Sequence, residues 1–470
     1  MNFKTIFRSL KNKNMLKRVG IIFGILIAYR LLAHIPVPLG DVTNFKDAVK
    51  TLIESSDFGG FLNLISGGGL ASFSIILVGL SPFITASIVT QLLTKAIPKM
   101  EELHNDGESG RRKINQWTRI ATVPLAILQS VAYIFILYQQ VIASNTAVAI
   151  EPTTIQWVLS IAAMTAGSII LMWMGELITE QGIGNGISMV IFASIISSFP
   201  ATIAGLGQSL FDTSQGSLSM FGWLNLPVNP EVFYVVLALG VGIILVLYCL
   251  VKINEAQRII TINYAKRVHG NSSYGGIKSI MPIKLIAAGV VPVIFAVAFL
   301  SLPSFIGQLM QSANPDSQLA ANLMAWFSAP TANNFNTEIG LTPEWFIYPA
   351  LYFFLVVAFT YFYTSIIFNT KEIAENLQKQ GGFIEDVRPG LATQKYFGTT
   401  MRRLNLFGSL ALGLIAMLPF IVDYVFIIIS GAPIGLSLSG TGLLIVVTVA
   451  LESLRQLNSR ALMITYDEYK

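Results

Sequence analysis

The sequence has few of the residues on which disulfide formation, metal binding and most catalysis depend. Cys249 is its only cysteine, so no intrachain disulfide can form and a metal–thiolate site is not expected. His34, His104 and His269 are the only histidines and lie far apart, so neither a metal site nor a cofactor is predicted from them. Charged residues make up only 12% of the 470 positions, which excludes an ordinary soluble globular domain.

The motifs of nucleotide hydrolysis and proteolysis are also missing. There is no GxxxxGK[ST] phosphate loop, no HExxH pair and no plausible nucleophile arrangement. The centres of the apolar segments carry almost no charge, whereas pumps and secondary transporters keep ionisable residues there. A few charged residues lie near segment ends, where reaching the membrane interface is the simpler interpretation: Arg30, Glu176, Glu180, Asp423 and Glu452. These absences predict a protein that is not an enzyme.

Apolar residues are abundant instead. They make up 53% of the chain, and its mean hydropathy of +0.66 predicts an integral membrane protein. The basic stretch "KNKNMLKR" leads into an apolar segment with no small-residue cleavage site, so that segment is expected to stay as an anchor. A helix needs about 20 apolar residues to cross the hydrocarbon core. Ten such spans are predicted, at 20–35, 72–93, 117–141, 155–177, 183–205, 232–251, 285–302, 345–368, 404–422 and 436–454.

The positions of Lys and Arg predict how these spans are oriented. Basic clusters precede the first span and follow the second, sixth, eighth and tenth, which places all of them on one side. Three long stretches contain no Lys or Arg: 120–251, 285–370 and 404–454. Because short cytoplasmic loops retain positive charge, both termini are expected to be cytoplasmic.

Ten spans divide into two groups of five with opposite orientation, as in the inverted repeats of membrane transport folds. No convincing residue-level identity between the groups is visible. The expected organisation is a basic N-terminus (1–19), an N-terminal half (20–207), an external linker (208–231), a C-terminal half (232–454) and a C-terminal tail (455–470). The cytoplasmic loops at 252–284 and 369–403 are longer than helix connections require. The external loops 211–230 and 303–343 are expected to be irregular.

The stretch "GGFLNLISGGGLASFSI", residues 59–75, contains a short apolar segment that fits neither a span nor a loop. Its apolar part is too short to cross a membrane. A re-entrant half helix is tolerated only where protein or a water-filled cavity surrounds it. The stretch therefore predicts a half helix at about 60–70, or alternatively a kinked start of the second span.

Several motifs resemble, in order and spacing, those of the SecY family, the channel subunits of the bacterial protein translocase. They are "LSPFITASIVTQLL" (80–93), "GESGRRKINQWTR" (107–119), "MGELITEQGIGNGIS" (174–188), "INYAKR" (262–267), "GVVPVIFA" (289–296) and "VRPG" (387–390). The resemblance covers nearly the whole chain. It implies an all-α fold of ten transmembrane helices, in two pseudo-symmetric inverted halves that close like a clamshell around an hourglass pore.

The resemblance also implies how such a pore is closed. The half helix becomes a plug, in which four apolar residues face the constriction and three glycines form the hinge: Phe61, Leu62, Leu64, Ile65, Gly67, Gly68 and Gly69. A ring of apolar residues forms the constriction: Leu80, Ile84, Ile191, Val291, Ile294 and Ile445. Narrow apolar rings dewet when empty, and β-branched side chains are stiff. Without the resemblance, each of these positions reads as ordinary packing.

Two further surfaces follow from the resemblance. A lateral gate is implied between spans two and three and spans seven and eight, with Thr85, Ser87, Ile88, Gln91, Val297 and Leu302 along it. The small and polar residues of span two fit ordinary helix packing equally well. Contacts with a ribosome or a motor ATPase are implied at Arg258, Lys266, Arg267 and Arg388. Ile259 replaces a family arginine, and Glu385 and Asp386 replace Pro-Gly, so the positive charge there is lower.

The implied function is a passive channel in the bacterial cytoplasmic membrane that translocates unfolded secretory polypeptides and releases membrane segments laterally. The implied partners are SecE-like and SecG-like subunits, the SecA motor, the ribosome, signal sequences, nascent chains and the lipid bilayer. Three alternatives stay open: an accessory channel for a narrow cargo set, a small-solute secondary transporter, and a membrane scaffold without an aqueous path.

Overall fold

The computed structural model describes residues 13–38, 73–143, 153–211, 218–220, 224–226, 230–264, 267–269, 272–274, 278–314, 317–327, 344–430 and 436–468. Helices dominate these residues. In chain order they are α1 (Lys13–Leu32), α2 (Ser81–Ala96), α3 (Pro98–Asn105), α4 (Glu108–Ala143), α5 (Thr154–Gln181), α6 (Gly186–Phe211), α7 (Pro230–Glu255), α8 (Val291–Ala313), α9 (Gln318–Phe327), α10 (Glu344–Ile367), α11 (Thr370–Lys379), α12 (Leu391–Ser430) and α13 (Leu436–Glu468).

Ten of these helices coincide with the ten predicted spans: α1, α2, α4, α5, α6, α7, α8, α10, α12 and α13. Five described stretches are long and apolar enough to cross a membrane: Glu108–Gln139, Thr154–Gln181, Val291–Gln311, Phe346–Lys379 and Leu391–Val422. The predicted plug, residues 61–69, lies outside the described residues.

The long connections contain regular structure, so the expectation of irregular external loops is partly wrong. Strands β1 (Leu218–Met220) and β2 (Leu224–Leu226) pair within 211–230. Helix α8 continues to Ala313 and is followed by α9, although 303–343 looked irregular because of its prolines and polar residues. Pro303 lies inside α8. A proline is tolerated in a spanning helix because neighbouring groups can satisfy the carbonyl that the proline leaves without a backbone partner.

The basic loops form a small sheet. Strands β3 (Gln257–Tyr264), β6 (Lys278–Lys284) and β7 (Gly382–Ile384) give the antiparallel order β6-β3-β7, while β4 (Arg267–His269) pairs with β5 (Ser272–Tyr274). The sheet packs on the first turns of α12 through a cluster that contains Ile260, Ile283 and Phe397. The two long loops, 252–284 and 369–403, therefore form one folded unit.

Two spans begin later than predicted. The segments 72–93 and 285–302 become helical only at Ser81 and Val291. Gly79 (φ 63°) and Gly289 (φ 64°) adopt the left-handed conformation just before these starts. A right-handed helix cannot continue through a residue in that conformation. A proline then falls in the first turn of each helix, where its missing N–H costs nothing.

These two starts are the same structure repeated. Each runs Gly-x-x-Pro, and the residue after the glycine has nearly identical dihedrals, φ −90° and ψ −1° at Leu80 and φ −86° and ψ −14° at Val290. Because α2 is the second span of one half and α8 the second of the other, the repeat is residue-level evidence of the predicted internal symmetry.

A pair of close glycine contacts repeats in the same way. A Cβ on Gly167 of α5 would clash with the carbonyl oxygen of Ile75, and a Cβ on Gly408 of α12 would clash with that of Leu285. Ile75 and Leu285 each lie four residues before the left-handed glycine of their half. The fourth span of each half thus covers the non-helical entry to the second span.

We expect Gly167→Ala and Gly408→Ala each to destabilise the protein by about 1–3 kcal/mol, because the added methyl group meets backbone atoms that cannot rotate away. Gly398→Ala in α12 is the matched control, since nothing lies within 4 Å of its Cβ position. It should be neutral or stabilising by up to about 1 kcal/mol. Thermal unfolding of the detergent-purified variants measures the difference, and equal midpoints in all three would contradict the contact.

Candidate functional site

The residues predicted for the constriction come together. Leu80, Ile84, Ile191, Ile294 and Ile445 are only 4–8% exposed and belong to one apolar cluster. They come from the start of α2, from α6, from α8 and from α13, so both halves contribute. Val291 is partly buried and packs against the same cluster.

One residue of this cluster was missed by the sequence prediction. Val290 is fully buried there, and it occupies in α8 the place that Leu80 occupies in α2, directly after the left-handed glycine. Val291, which was predicted, is the less buried neighbour. The signal that could have found Val290 is the Gly-x-x-Pro repeat, because it aligns Leu80 with Val290 and Ile84 with Ile294.

The cluster is chemically suited to closing an axis through the bundle. Its members are aliphatic and aromatic, with branched Ile and Val side chains at most of the predicted ring positions. An apolar constriction of this kind excludes water and ions without a specific polar contact. A site that bound a small polar solute would instead need polar groups at this level.

The predicted gate residues belong to α2 and α8, two helices from different halves that pack against each other. Helix α8 packs against both α2 and α4. Thr85, Ile88 and Val297 are buried, whereas Ser87, Gln91 and Leu302 are half-buried. Gln91 Nε2 donates to Ser87 Oγ at 3.0 Å, so these two polar groups pair within α2 rather than across the contact.

Aromatic packing also joins the halves on this side. The rings of Tyr133 in α4 and Phe305 in α8 lie 5.0 Å apart between centroids. Among the described residues, Phe305 and the partly buried Leu309 of α8 join a cluster whose other members come from the N-terminal half. The Tyr133–Phe305 contact is between two rings, so separating these rings leaves no charge unpaired.

One end of the bundle, which we call the basic face, is formed by the β6-β3-β7 sheet, the C-terminal end of α2, the start of α4, the α5–α6 turn and residues 452–460 of α13. A cavity of about 680 Å³ opens among these helix ends. We call it the basic-face cavity. It is lined by Phe83, Ser87, Gln91, Ile114, Asn115, Thr118, Arg119, Glu176, Thr179, Glu180, Gly182, Gly184, Asn185, Ile187 and Gln456.

Helix α13 is fastened to the end of α7 at this face. Arg455 donates to the side-chain and backbone oxygens of Asn254 at 3.2 and 2.9 Å. Burial lowers the pKa of Lys284, at the end of β6; nearby Arg455 lowers it further, and Glu452 opposes the shift. The end of α7 and the last span are thus joined by hydrogen bonds, and Lys284 at the end of β6 lies close enough to the last span to interact electrostatically with Arg455 and Glu452.

Of the four residues predicted to contact a partner, the structure describes three. Arg258 is exposed on β3, and Arg388 is exposed between β7 and α12. The loop around Arg388 is held by a hydrogen bond from Thr393 Oγ1 to the Arg388 carbonyl at 2.9 Å, and Gly390 follows with a φ of 98°. The backbone of Arg267 lies in β4, whereas Lys266 lies outside the described residues.

Known proteins are similar to this chain in sequence and in architecture. The family model that matches is SecY, over residues 74–454. The protein translocase subunit SecY of Streptomyces coelicolor is 37% identical over 466 residues, covering 98% of both chains.

Solved structures share the fold. A protein-conducting channel matches with a TM-score of 0.61 at 19% identity, covering 93% of this chain and 90% of its own. A SecY structure, whose plug domain is described as stabilising the closed state of the translocation channel and maintaining a membrane seal, matches with a TM-score of 0.59 at 19% identity, covering 94% and 90%. The predicted clamshell of ten helices is confirmed by these matches, and the chain belongs to the SecY family.

Proposed function

We propose that this chain is a protein-conducting channel, through which unfolded secretory polypeptides cross a membrane and from which membrane-protein segments pass sideways into lipid. It is a passive pore and not an enzyme. Family membership supports the assignment over nearly the full length. The observation that carries it is the single buried apolar cluster to which α2, α6, α8 and α13 all contribute.

The working cycle follows from the two halves. Residues 20–207 and 232–454 act as the two shells of the clamshell, joined by the linker 208–231. The ring of Leu80, Ile84, Ile191, Val291, Ile294 and Ile445 and the plug at about 60–70 seal the resting pore. A signal sequence separates α2 and α4 from α8 and α10, along Thr85, Ser87, Ile88, Gln91, Val297 and Leu302. Binding must favour the open state to supply this energy.

The driving force comes from outside the chain. The SecA ATPase or a translating ribosome docks on the basic face through Arg258, Lys266, Arg267 and Arg388, and SecE-like and SecG-like subunits complete the channel. The membrane is the bacterial cytoplasmic membrane, with both termini in the cytoplasm, because all basic clusters lie on one side of the spans.

Replacing Ile84 and Ile294 together by Ser should let water and ions through the resting channel, because a hydroxyl-lined constriction no longer dewets. We expect ionic conductance in planar bilayers to rise by about tenfold or more. Ile244→Ser is the control, since Ile244 is 68% exposed on α7. If the double variant stays as silent as the control, Ile84 and Ile294 do not form the seal.

Deletion of residues 61–69 should give a channel that flickers open in the same bilayers, because the plug no longer covers the ring. The control is a nine-residue deletion of residues 331–339 in the predicted external loop 303–343. This variant should remain silent. Silence of the plug deletion even with SecA and a signal peptide present would mean that no aqueous path exists, which favours the scaffold alternative.

Arg388→Glu should slow SecA-driven or ribosome-driven translocation by about tenfold or more, because exposed arginines at contact centres often contribute about 2 kcal/mol or more to binding. Lys371→Glu changes the charge equally on the exposed side of α11 and is the control. Transport of a reporter precursor into vesicles measures the rate. Equal slowing by both variants would indicate general electrostatics instead of a contact at Arg388.

A further inference from the structure

Glu452, near the end of the last span, points into the protein. Its position in the sequence favoured a side chain that reaches the membrane interface. In the structure Glu452 is half-buried, and its Oε2 atom lies 3.3 Å from the position that a Cβ on Gly289 would occupy. Its Oε1 atom accepts a hydrogen bond from Gln456 Nε2 at 3.5 Å. The carboxylate therefore lies directly against the left-handed turn that precedes α8.

The start of α8 has neither an acid nor a side-chain cap of its own. Its first turn contains no acidic residue, and Val290, the residue before the helix, makes no side-chain cap hydrogen bond. The first N–H groups of a helix lack intrahelical partners and carry partial positive charge, so a carboxylate near them is stabilising. Glu452 supplies this negative charge from another helix.

The matching turn of the N-terminal half is held by a neutral group. There Ser168 Oγ of α5 donates to the carbonyl of Gly79 at 2.9 Å, just before α2 begins. The two repeated turns thus share a backbone conformation but have different supports, a hydroxyl in one half and a carboxylate in the other. The carboxylate acts on the turn that leads directly into Val290, which is fully buried.

Glu452 also belongs to the face of α13 that contributes to the ring. Ile445, Val449 and Glu452 follow one another at intervals of four and three residues, which places them on one face of a helix. Ile445 and Val449 are 8% and 3% exposed and belong to the ring cluster. The face that helps to close the axis therefore ends at the carboxylate that lies against Gly289.

Helices α8 and α13 have their extended interfaces with different neighbours. Helix α8 packs against α2, α4, α9 and α10, whereas α13 packs against α6, α7 and α12. The end of α13 is fixed to α7 by the hydrogen bonds from Arg455 to Asn254. From this fixed position the carboxylate of Glu452 reaches the start of α8, and it interacts electrostatically with Lys284 at the end of β6.

We propose that Glu452 is a positioning residue of the seal. Its carboxylate holds the turn at Gly289 against the end of α13, so that Val290 and Ile294 of α8 stay at the level of Ile445. This inference rests on the proposed function and adds to it the residue that aligns two ring-bearing helices of the C-terminal half.

The test is the ionic conductance of the complete channel complex in planar bilayers, without a motor or a signal peptide. Glu452→Gln keeps the size of the side chain and removes its charge. We expect this variant to raise the resting conductance by about two- to fivefold, the range that a charge at a helix end contributes. Glu375→Gln is the control, since it removes an exposed acid on α11, and it should leave the conductance unchanged.

A second pair of measurements separates positioning from a general loss of stability. In the variant with Ile84→Ser and Ile294→Ser the seal is already open, so adding Glu452→Gln should raise the conductance no further. With a motor and a signal peptide present, Glu452→Gln should transport a reporter precursor at the native rate, because its charge acts on the closed state. A damaged fold would instead slow transport.

The outcomes separate the two proposals. If the double serine variant conducts and Glu452→Gln is silent, Glu452 does not position the seal and the channel assignment stands. The positioning role is also wrong if Glu452→Gln increases the conductance of the double serine variant, if it slows transport, or if Glu375→Gln conducts equally. If the double serine variant, Glu452→Gln and the plug deletion all stay silent, even with a motor and a signal peptide, the proposed function itself fails.

Discussion

The structure depends on one constraint, which is that backbone polar groups inside a bilayer must find partners within the protein. Residues 73–80 and 285–290 are not helical, yet they lead directly into membrane-spanning helices. They are acceptable because another helix covers each of them. Ser168 Oγ donates to the carbonyl of Gly79 at 2.9 Å, and the glycines of α5 and α12 let those helices touch the backbone. Any larger side chain at either glycine would clash with the backbone that it covers.

The late starts of α2 and α8 also decide where the residues of the proposed seal lie. A left-handed glycine and an early proline fix the first helical turn, so Leu80 and Val290 begin the turn and Ile84 and Ile294 follow one turn later. These residues converge with Ile191 and Ile445 in one cluster. The proposed gate uses the same helices, so in the proposed channel closing the axis and closing the side contact are mechanically linked. Movement of α8 away from α2 would disturb both.

The exposed positive charge of the basic face lies on the sheet and its adjoining loop, with Arg258 on β3 and Arg388 between β7 and α12. The proposed motor or ribosome arrives there. In the wall of the basic-face cavity, by contrast, Arg119 is paired with Glu176 at 2.7 Å. An ion pair of this kind offers a partner less net charge than the exposed arginines of the sheet do.

Ten apolar segments and one-sided basic loops were sufficient to predict the spans and the helical fold, because a bilayer imposes length and charge rules that hold for each segment separately. The motifs then identified the family and a ring whose members the structure brings together. What only the tertiary structure decided depends on contacts between distant segments. Examples are the folding of both basic loops into one sheet, the true starts of α2 and α8, and the place of Val290. Each requires knowing which residues face each other, and hydropathy along a chain contains no such information.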